Sequence, residues 1–467
     1  MLANAILFTH FAFVLFVILG LPLIYLGAAR GWSWVRARRW RQLHFAAIGF
    51  VATETLLGFA CPLTLWEDAL RGHRPGTGFL ERWIQRILFY DLPPWVFIVA
   101  YVGFAALVAF TWVIVPPTRA RRPKDHGRVA SEFELIARYF APLARGFPGA
   151  YGLLDDAAVI SPGPGQELVA KTDVVVAGID FPADVPADLI ARKALRVNLS
   201  DLAAKGATPR AYLLDLLLPD TVDEAWLAAF TAGLAADQAE FGVHLIGGDT
   251  SSTSGPIAVA VCALGEAPAG RIIRRGGAQP GDLVFVTGTI GDAALGLEVL
   301  RAALPALDAR SAAFLLDRYR LPRPRVALGP HLIGLATAAI DVSDGLVADL
   351  RHLCEVSRLS AVIEARSVPL SPAARAAVGD DPRRMKTALT GGDDYEILFT
   401  APAAAAARID ELARSSGVPI TPIGRLVLPP ETTPPGVVVL DEHGGELQFA
   451  SEGWTHFGGR GRRTAYG

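Results

Sequence analysis

Three long apolar runs open the chain, over residues 2–27, 43–62 and 95–115, and each approaches the 20 or so residues a helix needs to cross the hydrocarbon of a bilayer. After residue 115 the pattern changes. Residues 116–128 (PPTRARRPKDHGR) are polar, basic and interrupted by prolines, as in a linker. Ser131 followed by Glu134 is a capping-box signature and predicts a helix running through Phe140. Strand-like alternation and helix-like periodicity then take turns, predicting strands at 167–176, 210–218 and 257–264 and helices at 186–205 and 222–241. The glycine- and arginine-rich tract 270–281 breaks this rhythm. Beyond it come a strand at 283–287, helices near 292–303 and 324–336, and strands around Val362 and Ile397. The expected architecture is an all-α, three-span transmembrane part followed by two α/β units that meet near residue 275.

Charge adds an orientation to this picture. Arg30, Arg36, Arg38, Arg39 and Arg41 lie between the first two runs, and Arg119, Arg121, Arg122 and Lys124 follow the third. The positive-inside rule puts both clusters in the cytoplasm, which three spans satisfy with the N-terminus outside and everything after Val115 inside. The first run has no basic segment before it and no small-residue cleavage site ahead of Arg30, so it reads as a span and not as a removed signal peptide. Residues 79–90 (FLERWIQRILFY) have the spacing of a helix lying in the membrane interface. Of the polar residues within the runs, His10 and His44 stand near span ends, where headgroups or water account for them, and Glu54 is the third. A net charge of −2 leaves no nucleic-acid footprint. Three cysteines, Cys61, Cys262 and Cys354, without CxxC spacing, argue against structural zinc or a disulfide framework and fit a reducing compartment.

The chemistry lies in the aspartates. Asp155, Asp156, Asp173, Asp201, Asp249, Asp341 and Asp344 stand in what read as short, glycine-punctuated turns, with no histidine or cysteine among them. Taken singly, each is explained as a helix cap or turn residue. Together they form an all-oxygen donor set of the kind that hard cations such as Mg²⁺ select, and converging carboxylates commonly hold metal-bound polyphosphate. The second part of the chain therefore reads as a phosphoryl-transfer enzyme.

The motifs run in order: LLDDAAVI (153–160), KTDVVVAGIDF (171–181), KALRVNLSDLAAKGATP (193–209), IGGDTSS (246–252), RRGGAQPGD (274–282), IDVSDGLVADL (340–350) and LTGGDDYEILF (389–399). In this series the chain resembles the thiamine-monophosphate kinases, of the superfamily that includes aminoimidazole ribonucleotide synthetase, over about residues 132–457. The resemblance implies a linker at 119–131, an N-terminal α/β domain at 132–278 that dimerises and binds ATP and Mg²⁺, and a C-terminal α/β domain at 279–460. It implies a homodimer pairing strands of the first halves across the two-fold axis, with ATP in the cleft between halves and several Mg²⁺ ions. Position by position it assigns metal ligation to Asp156, Thr172, Asp173, Asp201, Asp249, Asp341 and Asp344, and ATP contacts to Gly248, Asp249, Arg275 and Ser343. Substrate contacts fall to Asp180, Asp393 and Trp454. The acceptor would be thiamine monophosphate, whose phosphate is already ionised at neutral pH, so no catalytic base is expected.

Two departures from the family pattern stand out. Lys171 replaces a small hydroxyl residue that touches metal, and an ammonium cannot ligate; it is expected to pair with Asp156 or Asp201 instead. Asp180 replaces a substrate-contacting histidine. Both keep open a reading as a nucleotide or thiamine-phosphate sensor for the membrane part. Other enzymes of the superfamily fit less well: no cysteine occurs between residues 116 and 261, where selenophosphate synthetases carry a reactive one, and the chain ends Thr464-Ala465-Tyr466-Gly467, where hydrogenase-maturation relatives carry a cysteine. Residues 1–118 resemble a family of bacterial three-helix membrane domains of no assigned function, which implies an inner-membrane, multi-pass protein with its kinase part facing the cytoplasm.

Overall fold

The computed structural model describes residues 2–30, 32–59, 61–71, 93–116 and 132–454. The chain forms two compact units, Met1–Val129 and Ala130–Gly467.

The first unit is helical: α1 (Leu2–Ala29), α2 (Arg38–Leu57), α3 (Pro62–Arg71) and α4 (Pro94–Ile114). Two stretches, Asn4–Ala29 and Trp95–Ile114, are long and apolar enough to cross a membrane, and only 22% and 11% of their most apolar windows is buried. Phe8, Val99, Phe110 and Val113 project outward from them. Among the described residues the expectation of three spans is thereby corrected to two candidates. Helix α2 includes Arg38, Arg39 and Arg41 among its first four residues and Glu54 in its last turn, and this polar content lowers its hydropathy below that of α1 and α4.

The histidines are corrected too. His44 is fully buried and not at a wet boundary: its Nε2–H donates to the Val17 carbonyl at 2.9 Å, and its ring stacks on Trp40. His10 is buried as well. A Cβ on Gly20 would come within 2.1 Å of His44 Nε2, so the glycine makes room for the ring. Arg41 is also buried, donating to the Val115 carbonyl at 2.8 Å and Thr111 Oγ1 at 2.6 Å, a cation at the carbonyl end of α4. The expected interfacial helix at 79–90 and the linker beyond Pro116 lie outside the described residues.

The second unit opens with α5 (Glu132–Leu135), which continues as a π-helical turn to Phe140; Ser131 itself lies outside the described residues. Its first half is a four-stranded sheet of order β1-β4-β2-β3: β1 (Gln166–Val176), β2 (Thr208–Pro219), β3 (His244–Thr253) and β4 (Ala258–Pro268). Helices α6 (Ala187–Ala204) and α7 (Glu224–Phe241) cover one face. Fourteen of the eighteen residues of α6 are buried, because it is sandwiched between this sheet and the second half.

The second half is a six-stranded sheet, β10-β7-β9-β5-β8-β6, built from β5 (Leu283–Thr287), β6 (Ala338–Asp341), β7 (Ser360–Glu364), β8 (Ile397–Ala401), β9 (Ile420–Val427) and β10 (Val437–Leu440). With it pack α8 (Asp292–Leu300), α9 (Ala309–Arg320), α10 (Leu346–Ser357), α11 (Pro372–Val378), α12 (Pro382–Thr390) and α13 (Ala406–Ser416). Ala203 and Ala204 of α6 share one core with Ile273, Phe285, Ala339 and Phe399, so the halves are packed together. The tract between them is pinned at both sides: Ile273 N–H donates to the Lys205 carbonyl at 3.1 Å and Ala339 N–H to the Arg274 carbonyl at 3.0 Å.

Two elements differ from expectation. The run around Gly247, Gly248 and Asp249 is the edge strand β3 and not a turn; with one hydrogen-bonded neighbour, β2, it carries the polar residues of an edge. Residues 324–336 hold no α-helix, only a short 3-10 turn at Gly329–Leu332. Pro330 lacks the donor an α-helical ladder needs, and a Cβ on Gly329 would sit 2.2 Å from the Ala203 carbonyl.

Candidate active site

A cleft of about 730 Å³ opens in the second unit, walled by β1 and α6 on one side and by the loops after β6 and α12 on the other. Strand alternation puts Lys171 and Asp173 on one face of β1, and helical spacing of four puts Lys193, Val197 and Asp201 on one face of α6; all five line the cleft. Where the two faces meet, Lys171 Nζ stands 3.1 Å from Asp173 Oδ1 and 2.9 Å from Asp201 Oδ2.

The opposite wall is tied together through backbone. After β6 ends at Asp341, the chain turns through Ser343, Asp344 and Gly345 into α10, and the buried Asp349 carboxylate accepts all three of their N–H groups at 3.0, 3.0 and 3.1 Å. The loop after α12 lies directly on this turn. Asp393 N–H donates to the Ser343 carbonyl at 2.9 Å and Tyr395 N–H to the Val342 carbonyl at 2.8 Å. A Cβ on Gly392 would lie 2.1 Å from the Ser343 oxygen. Asp393 and Tyr395 both adopt positive φ, 73° and 52°, to follow this path. A third segment joins as Trp454 N–H donates to the Asp344 carbonyl at 3.0 Å, leaving the half-exposed indole at the cleft margin.

The cleft is short of positive charge. Asp173, Asp180, Asp201, Glu298, Asp341, Asp344, Asp349 and Asp393 line it, against Lys171, Lys193, Arg275 and Arg301. Asp341 is 3% exposed, and its Oδ2 finds no hydrogen-bond partner among the described residues. Burial, and then the charge of Asp201, hold its carboxyl well above the usual carboxylate range. Burial and the charge of Asp344 push Asp349 up to about 7, although its backbone hydrogen bonds act the other way. The Lys171 bridge has the same imbalance. Burial pulls its ammonium down, but the charges and hydrogen bonds of Asp201 and Asp173 outweigh this and raise it. Asp173 is nonetheless also raised, because burial, with the charge of Asp201, exceeds what Lys171 offsets. One ammonium does not neutralise two carboxylates in so confined a space.

Of the residues singled out from sequence, the fold gathers Asp173, Asp180, Asp201, Arg275, Asp341, Ser343, Asp344, Asp393 and Trp454 around this cleft. It does not bring in Asp156, Thr172, Gly248 or Asp249. Thr172 points to the opposite face of β1 from Lys171, and Asp249 is in register with Asp215 on that same outer face, its N–H donating to Asp215 Oδ1 at 2.9 Å. Asp156 is exposed in the loop that follows Leu153. Nor are all the aspartates in turns: Asp173 and Asp249 are in strands, and Asp201 is in the last turn of α6. Among the described residues no three Asp, Glu, His or Cys side chains are arranged as ligands around one point. Lys171 pairs with Asp201 as expected, but its second carboxylate is Asp173, not Asp156.

Four further residues, Lys193, Tyr395, Asp349 and Lys205, were not singled out from sequence. Lys193 is buried, with Nζ 3.0 Å from Asp393 Oδ2 and 3.1 Å from the Asp180 carbonyl, over the ring of Tyr319. Tyr395 O–H donates to the other oxygen of Asp393 at 3.1 Å, so both oxygens of this expected substrate contact are already held. Asp180 likewise accepts the Val176 N–H at 2.8 Å and closes its own turn. The i, i+4, i+8 spacing of Lys193 with Val197 and Asp201 is the signal that marks Lys193. Lys205 leaves no such signal, because its partner is the backbone carbonyl of Ala339 in a distant segment, and Asp349 leaves none because its partners are the backbone N–H groups of its own turn, which no residue type marks.

Residues 154–267 match the family model of the AIR synthase related protein N-terminal domain, residues 279–433 that of its C-terminal domain, and residues 1–117 that of a Protein of Unknown function (DUF2784). The chain is 45% identical over 300 residues to the thiamine-monophosphate kinase of Caulobacter vibrioides, covering 64% of this chain and 84% of that protein. To the enzyme of the same name from Salmonella typhimurium it is 44% identical, covering 63% and 90%. Among solved structures, the thiamine-monophosphate kinase from Stenotrophomonas maltophilia superposes with a TM-score of 0.57 at 41% identity, covering 62% of this chain and 89% of that one. A structure described as AaThiL complexed with AMPPCP and TMP does so at 0.55 and 30%, covering 66% and 97%. The hydrogenase maturation protein HypE in complex with ATP shares the fold, with a TM-score of 0.56 at 21% identity.

Proposed function

The chain belongs to the thiamine-monophosphate kinase family, and from that premise we propose that its second unit transfers the terminal phosphoryl group of ATP to the phosphate of thiamine monophosphate, giving thiamine diphosphate and ADP. The observation that carries this reading is the charge of the cleft. Eight carboxylates against four cations would repel two polyanionic substrates unless further cations entered with them.

The residues fit Mg²⁺ in that role. The donors are all carboxylates, and Asp341 presents a buried oxygen that lacks a partner. Asp341 and Asp344 would hold the ions, assisted by the charge that Lys171 leaves over on Asp173 and Asp201. When bound, Mg²⁺ relieves the repulsion between the reacting phosphates and fixes an in-line approach. The protein's own contribution is positioning. Arg275 offers a planar fork to phosphate oxygens at the cleft wall, and the Ser343 turn, clamped by Asp349, presents its hydroxyl from a fixed backbone. Lys193 holds Asp393, and the Trp454 indole offers a face on which a cationic thiazolium ring can stack. The acceptor phosphate is ionised at neutral pH, so the transfer requires no histidine base.

The same reading extends to assembly and location. The outer face of the four-stranded sheet exposes Leu168, Val174, Leu213 and Leu217, each more than a third exposed, alongside Thr172 and Asp249. That unpartnered apolar face supports a homodimer formed through it. The two apolar helices of the first unit support attachment to a bacterial cytoplasmic membrane.

The test is direct. The full chain, purified in detergent and supplied with ATP, Mg²⁺ and thiamine monophosphate, is expected to form thiamine diphosphate and ADP in equal amounts. ATP consumption without thiamine diphosphate would overturn the acceptor, and no ATP consumption would overturn the reading as a whole.

A further inference from the structure

The Lys171 side chain is out of place in a cleft that needs mobile divalent cations. Its position is nevertheless firmly set. β1 pairs with β4 over eleven consecutive residues without a register shift, so residue 171 faces α6 as surely as Asp173 does. The ammonium therefore sits between two carboxylates from different elements, 3.1 Å from one and 2.9 Å from the other, with 31% of its side chain exposed to the cleft. An ion pair that merely fastened a helix to a sheet would need one carboxylate. Here the ammonium uses two of its three N–H donors on carboxylates that would otherwise confront each other across the cleft wall. The buried, unpartnered oxygen of Asp341 is on the adjoining strand end of the same cleft, and its carboxyl feels the charge of Asp201.

We propose that Lys171 is a built-in cation: its ammonium fills the position between Asp173 and Asp201 that a divalent ion would otherwise take, so that this kinase works with one bound Mg²⁺ fewer than the same fold with a small neutral residue at 171. The proposal rests on the phosphoryl-transfer reading above. A Mg²⁺ ion brings two charges and exchanges with solvent; the ammonium brings one and stays. The site between Asp173 and Asp201 is thus charged at any Mg²⁺ concentration, and the third N–H of Lys171 remains available to a phosphate oxygen. Asp341, whose buried Oδ2 has no partner among the described residues, keeps its demand for a divalent ion.

The experiment counts ions and does not depend on turnover. Full-length protein in detergent, with the nonhydrolysable ATP analogue AMPPCP, is titrated with Mn²⁺, and bound ions are counted from the loss of the free Mn²⁺ signal in electron paramagnetic resonance. Lys171→Ser is expected to bind one more Mn²⁺ per chain than the unmodified protein, and Mn²⁺ is expected to raise its melting temperature by more. Lys171→Arg, which keeps a cation at the position, should bind the unmodified number, and its melting temperature checks that changes at 171 leave the fold intact. If Lys171→Ser and the unmodified protein bind the same nonzero number, the ammonium is only a structural bridge and the proposal is wrong, while the kinase reading stands. If neither binds Mn²⁺ in the presence of the analogue, the metal-assisted reading fails and the proposal falls with it.

Discussion

Gly392 offers the sharpest test of how this site is built, because the loop that carries Asp393 is held against the Ser343 turn with no side chain between them. Replacing Gly392 by alanine adds one carbon, placed 2.1 Å from the Ser343 carbonyl oxygen and 3.1 Å from its carbon, whereas side-chain Cβ atoms keep at least 3.0 Å from such neighbours. The two loops must therefore separate by about 0.9 Å, the difference between those distances. Two hydrogen bonds lie in the path of that movement: Asp393 N–H to the Ser343 carbonyl at 2.9 Å and Tyr395 N–H to the Val342 carbonyl at 2.8 Å. Stretched by nearly an ångström, both pass beyond hydrogen-bonding range. Each lost bond costs about 1 kcal/mol, or up to about 3 kcal/mol where the buried group finds no water, so the two lost in Gly392→Ala should destabilise the unit by about 2–6 kcal/mol. The functional loss follows from the same displacement, since it moves Ser343 and Asp393 relative to each other by about 1 Å, which commonly costs about 100-fold in rate. Urea unfolding followed by tryptophan fluorescence reads the first effect, and ADP release with ATP and thiamine monophosphate the second. Gly436→Ala is the control: the nearest atom to its Cβ is 4.0 Å away, and a change within about 0.5 kcal/mol is expected. Native stability and native rate in Gly392→Ala would refute the claim that these loops are locked by backbone contact.

Asp173→Asn removes a cleft charge from a side chain that is 42% exposed, so we expect turnover to fall by about 100-fold or more with less than about 1 kcal/mol lost in stability; near-native turnover would remove Asp173 from the site. Lys205 supplies a pH test. Burial lowers its pKa to about 8 from an ordinary 10.5, and its Nζ donates to the Ala339 carbonyl at 2.6 Å. The folded state releases this proton before the unfolded state does, so the charged form penalises folding below pH 8 and the penalty is lifted between about pH 8 and 10.5, by up to about 3 kcal/mol. Lys205→Met should lack that component, and a stability difference from the unmodified protein that stays flat from pH 7.5 to 10 would contradict it. Finally, every residue lining the cleft belongs to the unit Ala130–Gly467. Removing residues 1–118 should therefore release the protein from membranes while leaving thiamine diphosphate formation within about three-fold; loss of turnover in a folded truncated protein would mean that the helical unit contributes to the site.

How far the sequence reveals this molecule depends on the reach of the interactions involved. The strands β1, β2, β4 and β5 and the helices α6 and α7 stand out because their apolar residues recur at spacings set by local geometry. The edge strand β3 does not, since an edge with one neighbour carries glycines and polar residues that read as a turn. The span expected over residues 43–62 fails for a related reason: α2 is long enough, but its arginines are accommodated by partners elsewhere, Arg41 reaching Thr111 and Val115 some 70 positions away. In the cleft, Asp173, Asp201, Asp341 and Asp344 are legible from the glycine-rich motifs around them. What is not legible is which face of a strand will matter, and so Thr172 and Asp249 separate from Asp173 although their motifs look equivalent.

The same distinction explains the charge of the site. A carboxylate can be recognised from its neighbours in sequence, but its compensation comes from afar: Lys193 meets Asp393 across 200 positions and Lys171 meets Asp201 across the gap between a strand and a helix. Counting aspartates along the chain therefore overstates the number of cations the site must recruit, because some carboxylates arrive already paired. Asp393 is held by Lys193 and Tyr395, Asp180 is engaged with Val176, and Asp349 serves the backbone of its own turn. What remains for a divalent ion is Asp341 with its unpartnered oxygen and the charge that one ammonium leaves over on Asp173 and Asp201. A site so reduced still requires Mg²⁺, and Lys171 sets how much of that requirement is met by the chain itself.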